Sequence, residues 1–394
     1  MNIKIIIPAC IILLVIVVGF NMAGGSHKIT IDWNAVSPKT DITDSVVLNV
    51  YVENSGSMDG YMCPGSNLKD AVFDYVSDMS KYCDTTSLFY VNSKVIPYQM
   101  PLKDYILNLT PTSFKHAGGD RSNTDLPRIF DMIMQNQTLN TVTVFVSDCI
   151  LDIPHNAQNF FGICQVSMKN LFNNALDKYP DLGLEIIKLQ SKFDGYWYCG
   201  QNKELLTNVK RPYYIWVIGD KYILARINKE VPYDEIIGGI DKYCAFSRPN
   251  VIPFHIAKNK YVVPSTNKIR IDILADFMSS LQSEDILTDC NNYTTNNPIQ
   301  VKIESVKRIT SASSKYSHII RAELDNPKTL TSETITIRYP EIPTWVKDTN
   351  DDSGDNITSN IDRTTGLLYL ITGASEAFRS STPKCEMSFR LRKN

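Results

Sequence analysis

Apolar and polar positions divide the chain into three stretches. Ile5 to Ala23 is 19 residues of almost unbroken apolar character, preceded by Lys4. At about 1.5 Å per helical residue such a run spans roughly 28 Å, close to the thickness of a bilayer core. It exceeds the 7–15 apolar residues usual in a secretion signal, so an uncleaved membrane anchor (residues 1–23) is expected. Cleavage near Met22-Ala23-Gly24-Gly25 is the alternative reading. The basic N-terminal flank places the bulk of the chain outside the cytoplasm. Residues 24–44 are polar, carry Gly, Ser, Pro and Thr, and read as a linker.

From residue 45 to about 235, β-branched runs alternate with helical stripes. Val46 to Val52 has the apolar continuity of a buried parallel strand. Leu68, Ala71, Val72, Tyr75, Val76 and Met79 recur at spacings of three and four, the mark of an amphipathic helix. Further strands are expected at Ser87–Val91, Val142–Val146, 183–189 and Tyr213–Ile218. Further helices are expected from Leu126, within 165–179 and near 220–229. This alternation predicts an α/β fold, a doubly wound and mostly parallel sheet covered on both faces. Ligands of such sheets bind at the carboxyl ends of the strands. Residues 190–212 interrupt the pattern; their aromatic Gly195-Tyr196-Trp197-Tyr198 suggests a hairpin.

Residues 250–394 change register. Lys268–Ile273 alternates strictly, and Ile299–Ile303, Ile319–Leu324 and Thr334–Ile337 also read as strands between Asn-, Asp- and Gly-rich turns. A β-rich, sandwich-like C-terminal domain follows.

A net charge of −2 gives no reason to expect nucleic acid as a partner. Beyond Cys10 there are eight cysteines and no C-x-x-C pair; an exported chain allows disulfides. Cys63 and Cys149 both follow strand ends at one edge and are the expected pair, with Cys149–Cys164 as the alternative. Cys290 with Cys385 is a further expectation. The five histidines show no H-E-x-x-H spacing, which disfavours zinc hydrolysis.

Three polar turns carry the candidate chemistry. The first strand ends in Glu53-Asn54-Ser55-Gly56-Ser57. A loop from Gly118 to Asp125 holds Thr124 just before a helix. The strand at Val142–Val146 ends in Ser147-Asp148. In this order they resemble the von Willebrand factor A family, whose metal-ion-dependent adhesion site uses D-x-S-x-S, a Thr in a second loop and an Asp after the fourth strand. The resemblance covers residues 45–235. It implies a divalent cation, Mg²⁺ or alternatively Mn²⁺ or Ca²⁺, with Glu53, Ser55, Ser57, Thr124 and Asp148 as the metal-site residues. Mg²⁺ takes six oxygens at about 2.0–2.1 Å and keeps several waters. Small neutral hydroxyls with few acids leave such an ion electrophilic toward a ligand carboxylate. Glu53 stands where the family has Asp, and its extra methylene moves the carboxylate outward.

The expected function is therefore a membrane-anchored, extracytoplasmic binding or scaffold protein, periplasmic or at the cell surface, engaging a protein partner through that cation. It is not expected to be an enzyme. A structural envelope protein with a degenerate metal site is the alternative, ahead of a metal-assisted hydrolase using Ser55 or Ser57; no G-x-S-x-G elbow is present.

Overall fold

The computed structural model describes residues 28–39, 45–122, 124–154, 158–248, 251–311, 313–379 and 385–393. The expected anchor at Ile5–Ala23 lies outside them, and among the described residues no helix is long and apolar enough to cross a membrane.

Among the described residues the first element is strand β1 (Lys28–Trp33), and a mixed α/β unit follows it. Its strands are β2 (Val47–Glu53), β3 (Thr85–Val91), β4 (Val95–Tyr98), β5 (Thr141–Ser147), β6 (Leu182–Cys199), β7 (Asn202–Asp220) and β8 (Lys242–Ser247). Its helices are α1 (Leu68–Ser80), α2 (Leu102–Leu107), α3 (Pro111–Ala117), α4 (Leu126–Met134), α5 (Phe160–Lys178) and α6 (Lys221–Glu230). The seven strands form one sheet in the order β4-β3-β2-β5-β7-β6-β8. β2 is buried along nearly all its length because it lies between β3 and β5 with apolar layers on both faces.

The sheet is mixed rather than mostly parallel. Only β3-β2-β5 run parallel; β4, β7, β6 and β8 each pair antiparallel with their neighbours. The cause lies between Leu182 and Asp220. The expected strands at 183–189 and Tyr213–Ile218 are the inner ends of one long hairpin, closed by a two-residue turn between Cys199 and Asn202. A hairpin reverses the chain without a crossover helix, so its second strand must run antiparallel to the first. The outer half of the hairpin projects beyond the carboxyl ends of the parallel strands and carries the aromatic segment with it.

Residues 28–33 were expected within a linker. They alternate as Lys-Ile-Thr-Ile-Asp-Trp and instead form an inner strand of a second, all-antiparallel unit. Its further strands are β9 (Phe254–Ile256), β10 (Lys260–Val262), β11 (Lys268–Ala275), β12 (Tyr293–Thr295), β13 (Val301–Arg308), β14 (His318–Asp325) and β15 (Ser332–Ile337). The two-residue strands β16 (Asn350–Asp351) and β17 (Thr364–Thr365) pair apart from these, and β18 (Cys385–Lys393) closes the chain. The sheets β10-β1-β18-β15-β12 and β13-β14-β11-β9 enclose one core, where Ile31 and Met387 share a cluster with Ile271 and Ile320. This is the expected β-rich unit, with its first strand drawn from before the α/β unit.

The short helix α7 (Glu284–Thr288) belongs to this unit's periphery. Helices α8 (Thr344–Asp348) and α9 (Leu367–Phe378) return to the α/β unit instead. Leu370, Ile371 and Ala374 of α9 join Met168 and Phe172 of α5 in one apolar cluster. Residues 344–378, placed by sequence in the β-rich part, thus complete a helical layer of the mixed sheet.

None of the eight described cysteines is in a disulfide. The expected Cys63–Cys149 bond does not form, nor do the alternatives. Cys149 is buried with its sulfur accepting from Trp216 Nε1 at 3.2 Å, while Cys63 faces Lys192 O at 3.8 Å.

One close approach fixes the hairpin to the first polar turn. A Cβ at Gly195 would lie 2.7 Å from Gly60 Cα, where the hairpin register shifts between Phe193 and Gly195. Gly195→Ala should therefore cost about 1–3 kcal/mol by overpacking, read as a lower denaturation midpoint with an unchanged slope. An unchanged midpoint would mean that the 3-10 turn Ser57–Met62 moves aside freely.

Candidate functional site

The parallel strands β2 and β5 end side by side, so their terminal residues share one edge. Glu53 closes β2 and Ser147 closes β5, with Asp148 next along the chain. The chain after β2 passes through Ser55 and Gly56 into the 3-10 segment Ser57–Met62, which keeps Ser55 and Ser57 at the same edge. The second loop is seated by Asn92, which follows β3 and whose Nδ2 donates to Gly118 O at 2.9 Å. Gly119 next to it has φ +81, and a Cβ there would meet Asn92 Oδ1 at 2.0 Å, so only glycine fits. Asp125 then caps α4, accepting from Arg128 N, and leaves Thr124 facing β2.

All five nominated residues converge. Thr124 Oγ1 donates to Glu53 Oε1 at 3.2 Å, and Ser55 Oγ lies 3.2 Å from Ser57 Oγ. Ser55 also bonds Glu53, and Ser57 bonds Asp148. Ser147, which the sequence reading passed over, donates to Glu53 Oε2. Asp148 and Ser55, at strand ends, were expected to face solvent; both are instead buried, as is Glu53, with Glu53 1%, Ser55 3% and Asp148 2% exposed.

Burial sets the electrostatics. It is the chief cause that pushes the Glu53 carboxyl up to about 7, with the charge of Asp148 adding to it; hydroxyls from Ser147, Ser55 and Thr124 work in the opposite direction. Burial likewise raises Asp148, opposed by the Ser57 bond and the charge of Arg211. Two buried acids beside each other disfavour full ionisation until a positive charge joins them.

Several residues at this edge had no sequence signal. Arg121 clamps the first turn: Nε donates to Asn54 O at 2.6 Å, and Nη2 donates to Ser55 O at 2.9 Å and Asp59 Oδ1 at 2.5 Å. Arg211 enters from β7, 1% exposed, bonded to Ile361 O at 3.1 Å. Only the antiparallel direction of β7 brings it to this edge. The hairpin aromatics split by alternation: Trp197 is buried, while Tyr196 and Tyr198 face outward with Lys203 over their rings. Tyr198 lines a cleft of about 290 Å³ together with Ser55, Ser57, Thr124, Arg121 and Asp152. Cys149, directly after Asp148, has φ +55, an uncommon conformation for a side chain of this kind.

The arrangement fits a hard cation in two respects. Asp148 Oδ2 is buried and has no hydrogen-bond partner, a costly condition that a ligand or ion would relieve. The Ser55–Ser57 oxygen separation of 3.2 Å is close to the roughly 3 Å between adjacent ligands in an octahedron with bonds near 2.1 Å. Glu53 fits less directly, since hydroxyls engage both of its oxygens. Among the described residues no three His, Cys, Asp or Glu side chains gather as a metal cluster; the oxygens gathered at this edge are those of hydroxyls and two carboxyls.

No family model matches this chain, and no curated protein matches it in sequence.

Proposed function

We propose that this chain is a von Willebrand factor A-like binding protein that engages a protein partner through a divalent cation at the carboxyl edge of its mixed sheet. The observation that carries the reading is the unpartnered, buried Asp148 Oδ2 close to Glu53, near a cleft that the hydroxyl residues Ser55, Ser57 and Thr124 line. Ser55, Ser57, Thr124 and Asp148 would hold the ion. Glu53 positions Thr124, Ser55 and Ser147 by accepting from all three. The bound cation supplies a Lewis-acid centre for an acidic group of the partner. The parallel trio β3-β2-β5 with an antiparallel edge strand β4 supports the family likeness; the antiparallel β7 and β6 depart from it. Anchoring through Ile5–Ala23 and a periplasmic or cell-surface location belong to the same proposal and rest on the sequence.

Arg211 favours a second reading, a scaffold whose site works without metal. Its buried guanidinium already supplies positive charge near Asp148. Capture of a partner from native membranes separates the two. The metal reading expects one protein retained in Mg²⁺ and released by EDTA, and lost with Ser57→Ala. Retention unchanged by chelator would favour the scaffold.

A further inference from the structure

A second cleft, of about 320 Å³, opens between helix α6 and the turn joining β13 to β14, away from the hydroxyl site. Its lining collects five cations, Lys39, Arg226, Lys229, Arg308 and Lys315, against one acid, Asp276. The whole chain has a net charge of −2, so this is a strong local inversion. Burial raises the carboxyl of that one acid and so weakens its balance of the five cations, although bonds from Met278 N at 3.3 Å and from Ser317 work in the opposite direction. Arg226 has an interaction of its own. The other four form no ion pair among the described residues, and Lys39 lies over the Tyr222 ring at 4.4 Å.

The cations come from three separate parts of the chain and converge on one concavity: Lys39 from the stretch after β1, Lys229 from the last turn of α6, and Arg308 and Lys315 from the β-rich unit. Like charges held around a cleft repel one another, and low-dielectric walls focus their field. A ligand with two or more negative centres removes that repulsion at several points together. Arg308 offers a planar fork of donors and the lysines offer point charges, a combination suited to phosphate oxygens.

We propose that this cleft binds a small, soluble anion carrying at least two phosphate-type charges. The volume admits an oligophosphate with a modest organic group but no folded partner. A phospholipid headgroup shares the phosphate chemistry but brings a single diester charge, too few to engage cations from all three segments.

The test is calorimetric titration of the purified full-length chain with inorganic pyrophosphate, and in parallel with glycerophosphoglycerol as the headgroup mimic. Pyrophosphate should bind at one site per chain, with affinity falling as salt rises. Lys229→Glu combined with Lys315→Glu should weaken it at least tenfold, whereas Lys103→Glu on α2 should not. The substituted lysines are exposed, and an unchanged melting temperature verifies folding. Absence of pyrophosphate binding at millimolar concentration would overturn the proposal. So would binding that survives the double reversal, or equal binding of the diester.

Discussion

Asp148→Asn should abolish the gain in thermal stability that divalent cations give the wild-type protein, without weakening the metal-free fold. Asp148 is 2% exposed, and one of its carboxylate oxygens has no partner. Asparagine keeps the shape and can still accept from Ser57, but it removes one of two adjacent buried charges. Alanine is the poorer test, because it opens a cavity and removes the group that Ser57 bonds. A ligand that binds only the folded state stabilises it by mass action, by about 2.7 kcal/mol at a hundredfold excess over its dissociation constant. At about 2–4 °C per kcal/mol for chains of 150–250 residues, the wild-type shift is several degrees. Ser55→Ala should retain part of it, since Ser57 and Thr124 remain. Melting curves in EDTA, Mg²⁺ and Mn²⁺ read all three proteins. A full metal shift in Asp148→Asn would remove Asp148 from the site.

The metal-free protein should lose stability as pH rises from about 4.5 to about 7, and Mg²⁺ should cancel part of that loss. Glu53 has an ordinary value of 4.5, raised to about 7 in the fold. Between these values the folded chain keeps the proton while the unfolded chain has released it. The unfolded state then binds fewer protons, so the unfolding free energy falls with rising pH. At about 1.4 kcal/mol per pH unit, the Glu53 share approaches 3 kcal/mol above pH 7. Glu185 contributes in the same direction: burial raises it to about 7 against bonds from Tyr243 and Asn228, and it lies away from the cleft. Glu53→Gln should flatten one share and remove the Mg²⁺ effect on the slope. Glu185→Gln should flatten the other and leave the Mg²⁺ effect intact. Denaturant midpoints between pH 4.5 and 8, with and without Mg²⁺, measure both. A midpoint independent of pH would show that Glu53 ionises freely in the fold.

The parts of the site that the sequence disclosed are those set by local chain geometry. Glu53, Ser55, Ser57, Thr124 and Asp148 stand directly after apolar strands or before a helix, where periodicity breaks, and the structure brings them to one edge. Ser147 was within reach of the same logic, one residue from Asp148, but it reads as the last strand residue. Arg121 and Arg211 were not legible, because their places depend on pairings distant in sequence, whereas the aromatic segment with Tyr198 was read as a hairpin without its place at this edge. The charge of Arg211 acts on Asp148 only because β7 returns through that hairpin. The same hairpin hid the strand direction: apolar runs at 183–189 and Tyr213–Ile218 look alike whether the chain crosses over or doubles back. Lys28–Trp33 alternates legibly, yet its partners β18 and β10 lie more than two hundred residues away. Burial of the two acids also escaped the sequence, since it comes from the hairpin and the 3-10 turn packing on each other around Gly60 and Gly195.

Titrating Mn²⁺ into the protein while following the free-ion signal by electron paramagnetic resonance asks whether Ser55, Ser57, Thr124 and Asp148 hold one divalent cation with Glu53 behind them. The free signal should fall with one site per chain, Mg²⁺ should compete, binding should weaken below pH 7 as Glu53 protonates, and Asp148→Asn should show no such site. A free Mn²⁺ signal that is undiminished at millimolar wild-type protein would contradict such a site.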